Sequence, residues 1–246
     1  MNVLELTGRS RSHIVELESP RCALHFEVVT SFLAMRDAAA RDGLDLQAVS
    51  SFRDYDRQLA LWNRKWRGER PLHARDGRPL DHATLSETQL VDAILAWSAI
   101  PGGSRHHWGT DVDVIDAAAM PPGYQVQLLP NEYAATDGVF ARLTRWLDEH
   151  MGRFGFFRPY ATDRGGAWIE PWHLSYAPVA AEAIEGLSLS VIRAAIVQGE
   201  MLGKTAVLDR LPEIYTRFIL GVDPPCAPAR RGTTARGRGT TAGTSA

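Results

Sequence analysis

Hydrophobic and polar positions follow two different spacings along the chain, and each spacing predicts a type of element. Apolar residues recur every three or four positions in several long segments, which is typical of helices that bury one face. These segments are 20–43, 54–66, 86–97 and 139–151, with further helical stretches from about Val179, Ser190 and Ala206. Ser19 followed by Pro20 is typical of an N-cap with proline at the first helical position, so we expect the first helix to begin there.

Shorter segments are apolar or alternate between apolar and polar residues, as strands do. They are 44–52, 110–115, 154–160 and 170–176. Segments 67–84 and 117–135 separate the predicted elements and contain turn-forming residues, so we interpret them as loops.

The end of the chain differs in composition from the rest. From Pro224 onward it consists largely of Pro, Ala, Gly, Thr and Arg and has no acidic residue, which predicts a disordered tail. We therefore expect one domain at residues 20–223, an N-terminal extension at 1–19 and a tail at 224–246. The arginines of this tail are the single feature that favours nucleic-acid binding.

Composition excludes several classes of protein. The chain has 246 residues, of which 45% are hydrophobic and 23% charged, so it can bury a core as an ordinary globular protein does. A net charge of −2 provides no overall attraction to nucleic acid or acidic lipid, and we expect no nucleic-acid partner. Cys22 and Cys226 form no C-x-x-C pair, so neither a disulfide framework nor a thiolate zinc site is predicted. The sequence does not predict an oligomeric state.

The sequence also bears on location. The first twenty residues contain no uninterrupted apolar stretch, and nowhere do about 18 apolar residues run together. We expect no membrane insertion and a cytoplasmic protein, with release through a separate pore or export by another route as alternatives.

Two segments carry residues suited to metal chemistry. Segment 104–113 contains His106, His107, Asp111 and Asp113, and segment 170–173 reads Glu-Pro-Trp-His. Two imidazoles and one carboxylate from these segments suit a divalent metal such as a hydrolytic zinc ion, and one glutamate is left over. The water on such a metal needs a general base within hydrogen-bond reach. In a regular strand Glu170 and His173 would point to opposite faces, so we hypothesise a bend at Pro171 that turns both towards one metal.

The motifs resemble those of the zinc D-alanyl-D-alanine carboxypeptidases of the VanY type. These belong to a wider group with D-Ala-D-Ala dipeptidases, L,D-carboxypeptidases and phage peptidoglycan endopeptidases. The pattern Ser-x-His-(x)6-Asp begins at Ser104, and Glu-Pro-Trp-His follows at 170–173. Ser51-Phe52-Arg53-Asp54-Tyr55 with Gln58 is similar to a third motif, Ser-Gly-Tyr-Arg-Ser with a downstream Gln. The resemblance covers residues 20–180.

The resemblance implies an α+β fold of the hedgehog and DD-peptidase type, with a small, mostly antiparallel sheet that carries a zinc site and is flanked by helices. It implies that Glu170 is the general base and that Arg53 polarises the scissile carbonyl and stabilises the oxyanion. The implied zinc ligands are His106, Asp113 and His173. The implied substrate-binding residues are Ser104, Gln58 and Trp172.

The chain departs from the family pattern at one position near the metal. The family has a small residue, often alanine, two places before the aspartate ligand, and here it is Asp111. Because Asp111 and Asp113 share one face of a strand, Asp111 could crowd the metal, coordinate it or perturb a neighbouring group. His107 could have a supporting or substrate role. The other histidines are expected to be structural: His13, His25, His73, His82 and His150.

The leading interpretation is a zinc carboxypeptidase that removes terminal D-alanine from peptidoglycan stem peptides or muropeptides, with D,D- or L,D-specificity. Segments 67–84 and 117–135 are candidate specificity loops. An endopeptidase that cleaves an L-Ala-D-Glu bond, of the phage endolysin type, is the nearest alternative. A non-catalytic zinc-bearing binding module on the same fold is a third, although binding alone requires neither Glu170 nor Arg53.

Overall fold

The structure is a computed structural model that describes residues 1–225. Residues 226–246, which include Cys226 and most of the predicted tail at 224–246, lie outside the described residues. The strands are β1 (Ile14–Glu18), β2 (Arg21–His25), β3 (Leu46–Ser50), β4 (Leu72–His73), β5 (Pro79–Leu80), β6 (Asp111–Asp116), β7 (Phe156–Phe157) and β8 (His173–Tyr176). The helices are α1 (Val3–Leu6), α2 (Val29–Arg41), α3 (Tyr55–Trp66), α4 (Glu87–Leu95), α5 (Ala141–His150), α6 (Ala177–Gly186), α7 (Leu189–Gln198), α8 (Lys204–Asp209) and α9 (Leu211–Ile214).

A four-stranded antiparallel sheet forms the centre of the fold, in the order β3-β6-β8-β7. Alternation along the strands divides its residues between two faces. Val112, Val114 and Leu174 enter an apolar cluster with residues of α2 and α5. Asp113 and His173 belong to the opposite face, so the sheet separates a hydrophobic core from a polar site. The predicted α+β fold with a small antiparallel sheet is confirmed.

A second apolar cluster forms between the remaining helices. It combines Trp62 of α3 with residues of α4 and of helices α6 to α9, all of them buried. Asp54 begins α3 by accepting a hydrogen bond from the backbone of Arg57 at 2.8 Å. Ser86 and Gln89 cap α4 reciprocally, as their spacing predicts. These caps fix where both helices begin beside the polar site.

The first predicted helix begins later than expected. Residues 21–25 form β2, which pairs with β1 in a hairpin turned at Ser19 and Pro20, and α2 starts only at Val29. Leu24 and Val28 have the spacing of a helix, but residues 21–25 also fit the burial alternation of a strand. In addition, a Ser-Pro pair occurs in turns as well as at helix starts. The hairpin spans the predicted boundary between extension and domain, and that boundary stays a prediction.

Three other predicted elements differ in extent. Only Phe156–Phe157 of segment 154–160 is strand, because a 3-10 helix at Met151–Phe154 precedes it. Segment 67–84, interpreted as a loop, contains the short hairpin of β4 and β5. The C-terminal part has four α-helices rather than three, followed by a π-helical turn at Tyr215–Ile219. Among the described residues no helix has the length and apolarity needed to cross a bilayer.

The N-terminal segment packs against the parts of the chain that carry the motifs. The carbonyl of Leu6 accepts a hydrogen bond from the indole of Trp108 at 3.2 Å. The carbonyl of Gly8 accepts one from the backbone of Tyr55 at 2.9 Å. The imidazole of His13 donates to the carbonyl of His107 at 3.0 Å. Residues 6–13 therefore hold together the segment before β6 and the start of α3.

Candidate metal centre

Three elements bring the predicted metal ligands together. His106 lies on a 3-10 helix at Arg105–Trp108, Asp113 lies in β6, and His173 begins β8 directly opposite Asp113. The His106 Nε2 atom is 3.3 Å from Asp113 Oδ2, and His173 Nδ1 is 3.3 Å from Asp113 Oδ1. All three residues are buried, and one potential ligand atom from each lies within 4.8 Å of the others.

The backbone around His106 fixes the orientation of its ring. Gly109 ends the 3-10 helix with φ of +66°, and a Cβ atom there would come within 2.6 Å of the backbone nitrogen of His25. Only glycine fits this turn into β6. His106 Nδ1 donates to the carbonyl of Ser51 at 3.0 Å. This bond leaves Nε2 unprotonated and directed to the candidate site.

The donor set fits a divalent metal. Two imidazole nitrogens, each 3.3 Å from an oxygen of one carboxylate, are a donor set that zinc accepts. Asp113 Oδ1 is buried and has no hydrogen-bond partner among the described residues, although a buried carboxylate oxygen without a partner is unfavourable. A cation between Asp113 and the two imidazoles would satisfy that oxygen. His106, Asp113 and His173 could therefore hold zinc.

Asp111 lies behind His173 rather than beside the metal position. Asp111 Oδ1 accepts a hydrogen bond from His173 Nε2 at 2.9 Å, on the side of the ring opposite to Nδ1. The same oxygen accepts from Arg105 Nε at 2.8 Å, while Oδ2 accepts from Thr110 and Ser175. Burial raises the pKa of Asp111, but Arg105, His173 and Thr110 together hold it well below its usual range. Asp111 is thus an ionised partner that can orient His173.

A tight turn places Glu170 at the same centre. The backbone of His173 donates to the carbonyl of Glu170 at 3.2 Å, with Pro171 and Trp172 at the turn. Glu170 Oε2 consequently lies 3.1 Å from His173 Nδ1, as the hypothesised bend at Pro171 requires. Burial lowers the pKa of His173, but the neighbouring carboxylates of Asp111, Asp113 and Glu170 raise it well above its ordinary value. These carboxylates make the site strongly attractive to a cation.

Arg53 is held at the edge of the centre by two side chains. Its guanidinium donates to Gln58 Oε1 and to Ser50 Oγ, both at 2.8 Å. Its backbone donates to the carbonyl of His106 at 3.0 Å, which joins the two motifs. Burial lowers the pKa of Arg53, while the charges of Asp113 and Glu170 raise it. Arg53 therefore lies close enough to these carboxylates to interact with them.

The comparison with known proteins agrees with this geometry. A family model described as VanY, D-alanyl-D-alanine carboxypeptidase, matches residues 21–179, more than half of the chain. The chain belongs to the VanY family.

Relatives of this VanY-family chain include proteins with and without a described activity. An uncharacterized protein of Haemophilus influenzae is 44% identical over 98 residues, which are 39% of this chain and 67% of that protein. A D-alanyl-D-alanine carboxypeptidase of Enterococcus faecalis is 28% identical over 148 residues, which are 59% of this chain and 45% of that protein. A solved structure of VanYB in complex with D-alanine-D-alanine covers 76% of this chain and 89% of its own, with 21% identity and a TM-score of 0.49.

The VanY-family centre opens into a cavity of about 360 Å³. Ser104 and Trp172, both predicted to bind substrate, line it, and Trp172 stacks on Trp97 with ring centroids 6.3 Å apart. Gln58 is buried, with its amide engaged by Arg53 and by the carbonyl of Ala99. This engagement fits a role in holding Arg53, and its contact with substrate stays a prediction.

His107 supports the centre from behind. Its Nδ1 donates to the carbonyl of Arg53 at 2.6 Å, and its Nε2 accepts from the backbone of Gly102 at 3.1 Å. Burial lowers the pKa of His107 to about 3, so the ring is neutral as these two bonds require. His107 therefore positions the backbone of Arg53 and does not face the cavity.

Both predicted specificity loops reach the cavity. Arg70, Pro71 and His73 line it from segment 67–84, and residues 126–129 line it from segment 117–135. The buried Glu132 organises the second loop by accepting hydrogen bonds from the Tyr124 hydroxyl and from the backbone of Gln127 and Leu129. The two loops are therefore placed to contact a substrate.

Two further cavity residues were not predicted from the sequence. Tyr160 packs edge-on to His173 with ring centroids 5.0 Å apart, and burial raises its pKa to about 12, so its hydroxyl remains a donor. Lys65 of α3 is half-buried and donates to Ser98 Oγ at 2.6 Å. Lys65 lies on a helix whose apolar residues, such as Trp62, predict only packing in the core. No local sequence motif identifies Lys65 or Tyr160.

Proposed function

We propose that this protein is a zinc-dependent carboxypeptidase that releases terminal D-alanine from peptidoglycan stem peptides. Membership of the VanY family supports the substrate class. The observation that carries the proposal is the convergence of three potential metal ligands, Glu170 and Arg53 on one cavity. A binding module would not require a base and a guanidinium beside the metal position.

The chemistry requires the metal and two side chains. His106, Asp113 and His173 would hold a divalent metal, which would supply Lewis acidity for activating water and polarising a carbonyl. Glu170 takes a proton from the water as its oxygen bonds to the scissile carbonyl carbon. Glu170 then passes this proton to the departing amine nitrogen as the carbon–nitrogen bond breaks. Arg53, fixed by Gln58 and Ser50, stabilises the negative charge that develops on the carbonyl oxygen.

Lys65 supplies a cation suited to a carboxylate of the residue that leaves. It lines the same cavity as Glu170, and within residues 1–225 its ammonium forms no salt bridge. Burial is the main cause that lowers the pKa of Lys65 to about 8, while the charge of Glu170 raises it and the charges of Arg53 and Arg70 lower it. A half-buried ammonium without an acidic partner is suited to a carboxylate of the ligand. The free C-terminus of a stem peptide provides that group on its terminal residue.

Mass spectrometry of the products tests the proposal. The zinc-loaded protein is incubated with muropeptides that end in tetrapeptides and pentapeptides, with Glu170→Gln as the matched control. Loss of one alanine from the pentapeptide establishes D,D-carboxypeptidase activity, and loss from the tetrapeptide establishes L,D-activity. An internal cut would replace the proposal with an endopeptidase. Absence of any cleavage by the zinc-bound wild type would indicate a binding module.

A further inference from the structure

A groove rich in arginine adjoins the catalytic cavity. It has a volume of about 610 Å³ and shares Arg53, Leu61 and Arg70 with the cavity, so the two depressions border each other. The groove is lined by five arginines and no acidic residue. These arginines are Arg21, Arg53, Arg57, Arg64 and Arg70.

The arginines come from three separate elements. Arg21 extends from β2, Arg57 and Arg64 from α3, and Arg70 from the loop that follows α3. Arg57 and Arg64 are seven positions apart, so they lie on one face of the helix. The four arginines other than Arg53 are exposed. This concentration of positive charge contrasts with the net charge of −2 for the whole chain.

Few acidic groups compensate this charge. Arg64 has one partner at 3.7 Å, Glu69, and both side chains are about half exposed. Arg21, Arg57 and Arg70 form no salt bridge within the described part of the chain. The charge of Arg57 also contributes to lowering the pKa of Arg53. Like charges placed together on a helix face and its surroundings are unfavourable, so an anionic ligand in the groove would relieve this repulsion.

The position of the groove indicates which part of a substrate would enter it. Arg53 belongs to both depressions and is the residue proposed to contact the scissile carbonyl. With the terminal residue in the cavity beside Lys65, the preceding residues extend from Arg53 into the groove. An extended peptide advances about 3.3 Å per residue, so the second and third residues before the cut reach roughly 7–10 Å along it.

We propose that the groove binds the acidic groups of the stem peptide on the amino side of the cleaved bond. These groups are the α-carboxylate of D-glutamate and the distal carboxylate of a diamino diacid at the third position. Guanidinium groups bind carboxylates through paired hydrogen bonds. A stem with lysine at the third position and an amidated glutamate would present a cation and a neutral amide to the arginines. The inference rests on the proposed function and names the substrate class: stems with two free side carboxylates.

Two matched pentapeptides test the inference. One is L-Ala-γ-D-Glu-meso-diaminopimelate-D-Ala-D-Ala, and the other has lysine at the third position and an amidated D-glutamate. Two exposed guanidinium–carboxylate pairs predict a kcat/KM about tenfold higher for the diacid. In the variant Arg57→Gln/Arg64→Gln the ratio of kcat/KM for the diacid peptide to kcat/KM for the lysine peptide should approach one, because the KM for the diacid peptide rises. Arg153→Gln removes an exposed arginine remote from both depressions and should keep the ratio.

Binding of the uncut portion separates failure of this inference from failure of the proposed function. The tripeptides L-Ala-γ-D-Glu-meso-diaminopimelate and its amidated lysine counterpart are titrated into zinc-loaded Glu170→Gln protein by calorimetry. Tighter binding of the diacid, weakened by added salt and by the double substitution, supports the groove even if the wild type cleaves neither pentapeptide. Equal binding of both tripeptides, or a ratio of kcat/KM that is unchanged in the double variant, would overturn it.

Discussion

Asp111 is the group through which the network behind the metal position can be tested most directly. It is completely buried and accepts from His173 Nε2 at 2.9 Å and from Arg105 Nε at 2.8 Å. The substitution Asp111→Asn keeps the shape of the side chain but removes its negative charge. It also places an amide NH2 group against one of the hydrogen-bond donors that surround Asp111. Loss of such a partner of a metal-binding histidine lowers metal affinity by about 10- to 100-fold. That range corresponds to about 1.4–2.8 kcal/mol of binding free energy.

Stability should fall independently of the metal. Asp111→Ala leaves the guanidinium of Arg105 buried without its carboxylate, and breaking a buried pair in this way costs about 3–5 kcal/mol. Thermal unfolding of the metal-free protein measures this loss. Zinc affinity is measured separately by competition with a chelator, on the fraction of each variant that is folded.

Two controls make the result decisive. Ser175→Ala removes a hydrogen bond to the other oxygen of Asp111 but leaves His173 Nε2 paired, so it should lower stability and keep zinc affinity within about threefold. Asp113→Asn removes a ligand and should weaken zinc binding far more than Asp111→Asn does. Unchanged zinc affinity in Asp111→Asn would refute the orienting role. A loss equal to that of Asp113→Asn would mean that Asp111 coordinates the metal.

The remaining predictions concern turnover, ligand identity, pH and the tail. Glu170→Gln should bind zinc with unchanged stoichiometry and lose about 10²- to 10⁴-fold in kcat, because it lacks the base. His173→Ala should fail to retain zinc in equilibrium dialysis. Because deprotonation of Lys65 removes the cation that binds the terminal carboxylate, kcat/KM should fall above pH 8 and should not fall there in Lys65→Arg. Removal of residues 224–246 should leave peptidase activity unchanged.

A specific result would contradict each of these four predictions. Near-normal turnover by Glu170→Gln would exclude it as the base, and full zinc occupancy of His173→Ala would exclude that ligand. Glu170, Arg53 and Arg70 are the other charged groups that act on Lys65, and two of them are permanently cationic. The same decline above pH 8 in Lys65→Arg would therefore assign it to another group. Lost activity on tail removal would give the tail a functional role.

The meeting of the candidate metal ligands could be predicted because their positions depend on short stretches of sequence. His106 and Asp113 belong to one segment, and the glycine between them permits one tight turn. Pro171 forces a break beside His173, so the meeting of Glu170 and His173 could be anticipated. Their convergence across β6 and β8 still required the family resemblance, because spacing alone does not bring two distant segments together.

Other features depend on contacts that the sequence does not encode locally. Asp111 is a hydrogen-bond partner of His173 because Nε2 of that ring points towards it. Strand alternation alone did not decide whether Asp111 would coordinate the metal. Lys65 enters the cavity because of how α3 packs, and its neighbours Trp62 and Trp66 indicated only a buried helix face. The hairpin of β1 and β2 was missed because residues 21–28 satisfy both a strand and a helix spacing.

The attachment of residues 6–13 to the motif segments has a consequence for engineering and for genome interpretation. Leu6, Gly8 and His13 hold Trp108, Tyr55 and His107, which are neighbours of the residues at the centre. A version of this protein started a dozen residues later would still contain every signature by which the family is recognised. It would nevertheless lack the N-terminal residues that hold two of those motif segments together. Fusion partners are therefore better attached at the C-terminal end of the chain. A gene that lacks the first dozen codons can contain all the family motifs and still encode a protein with a disturbed site.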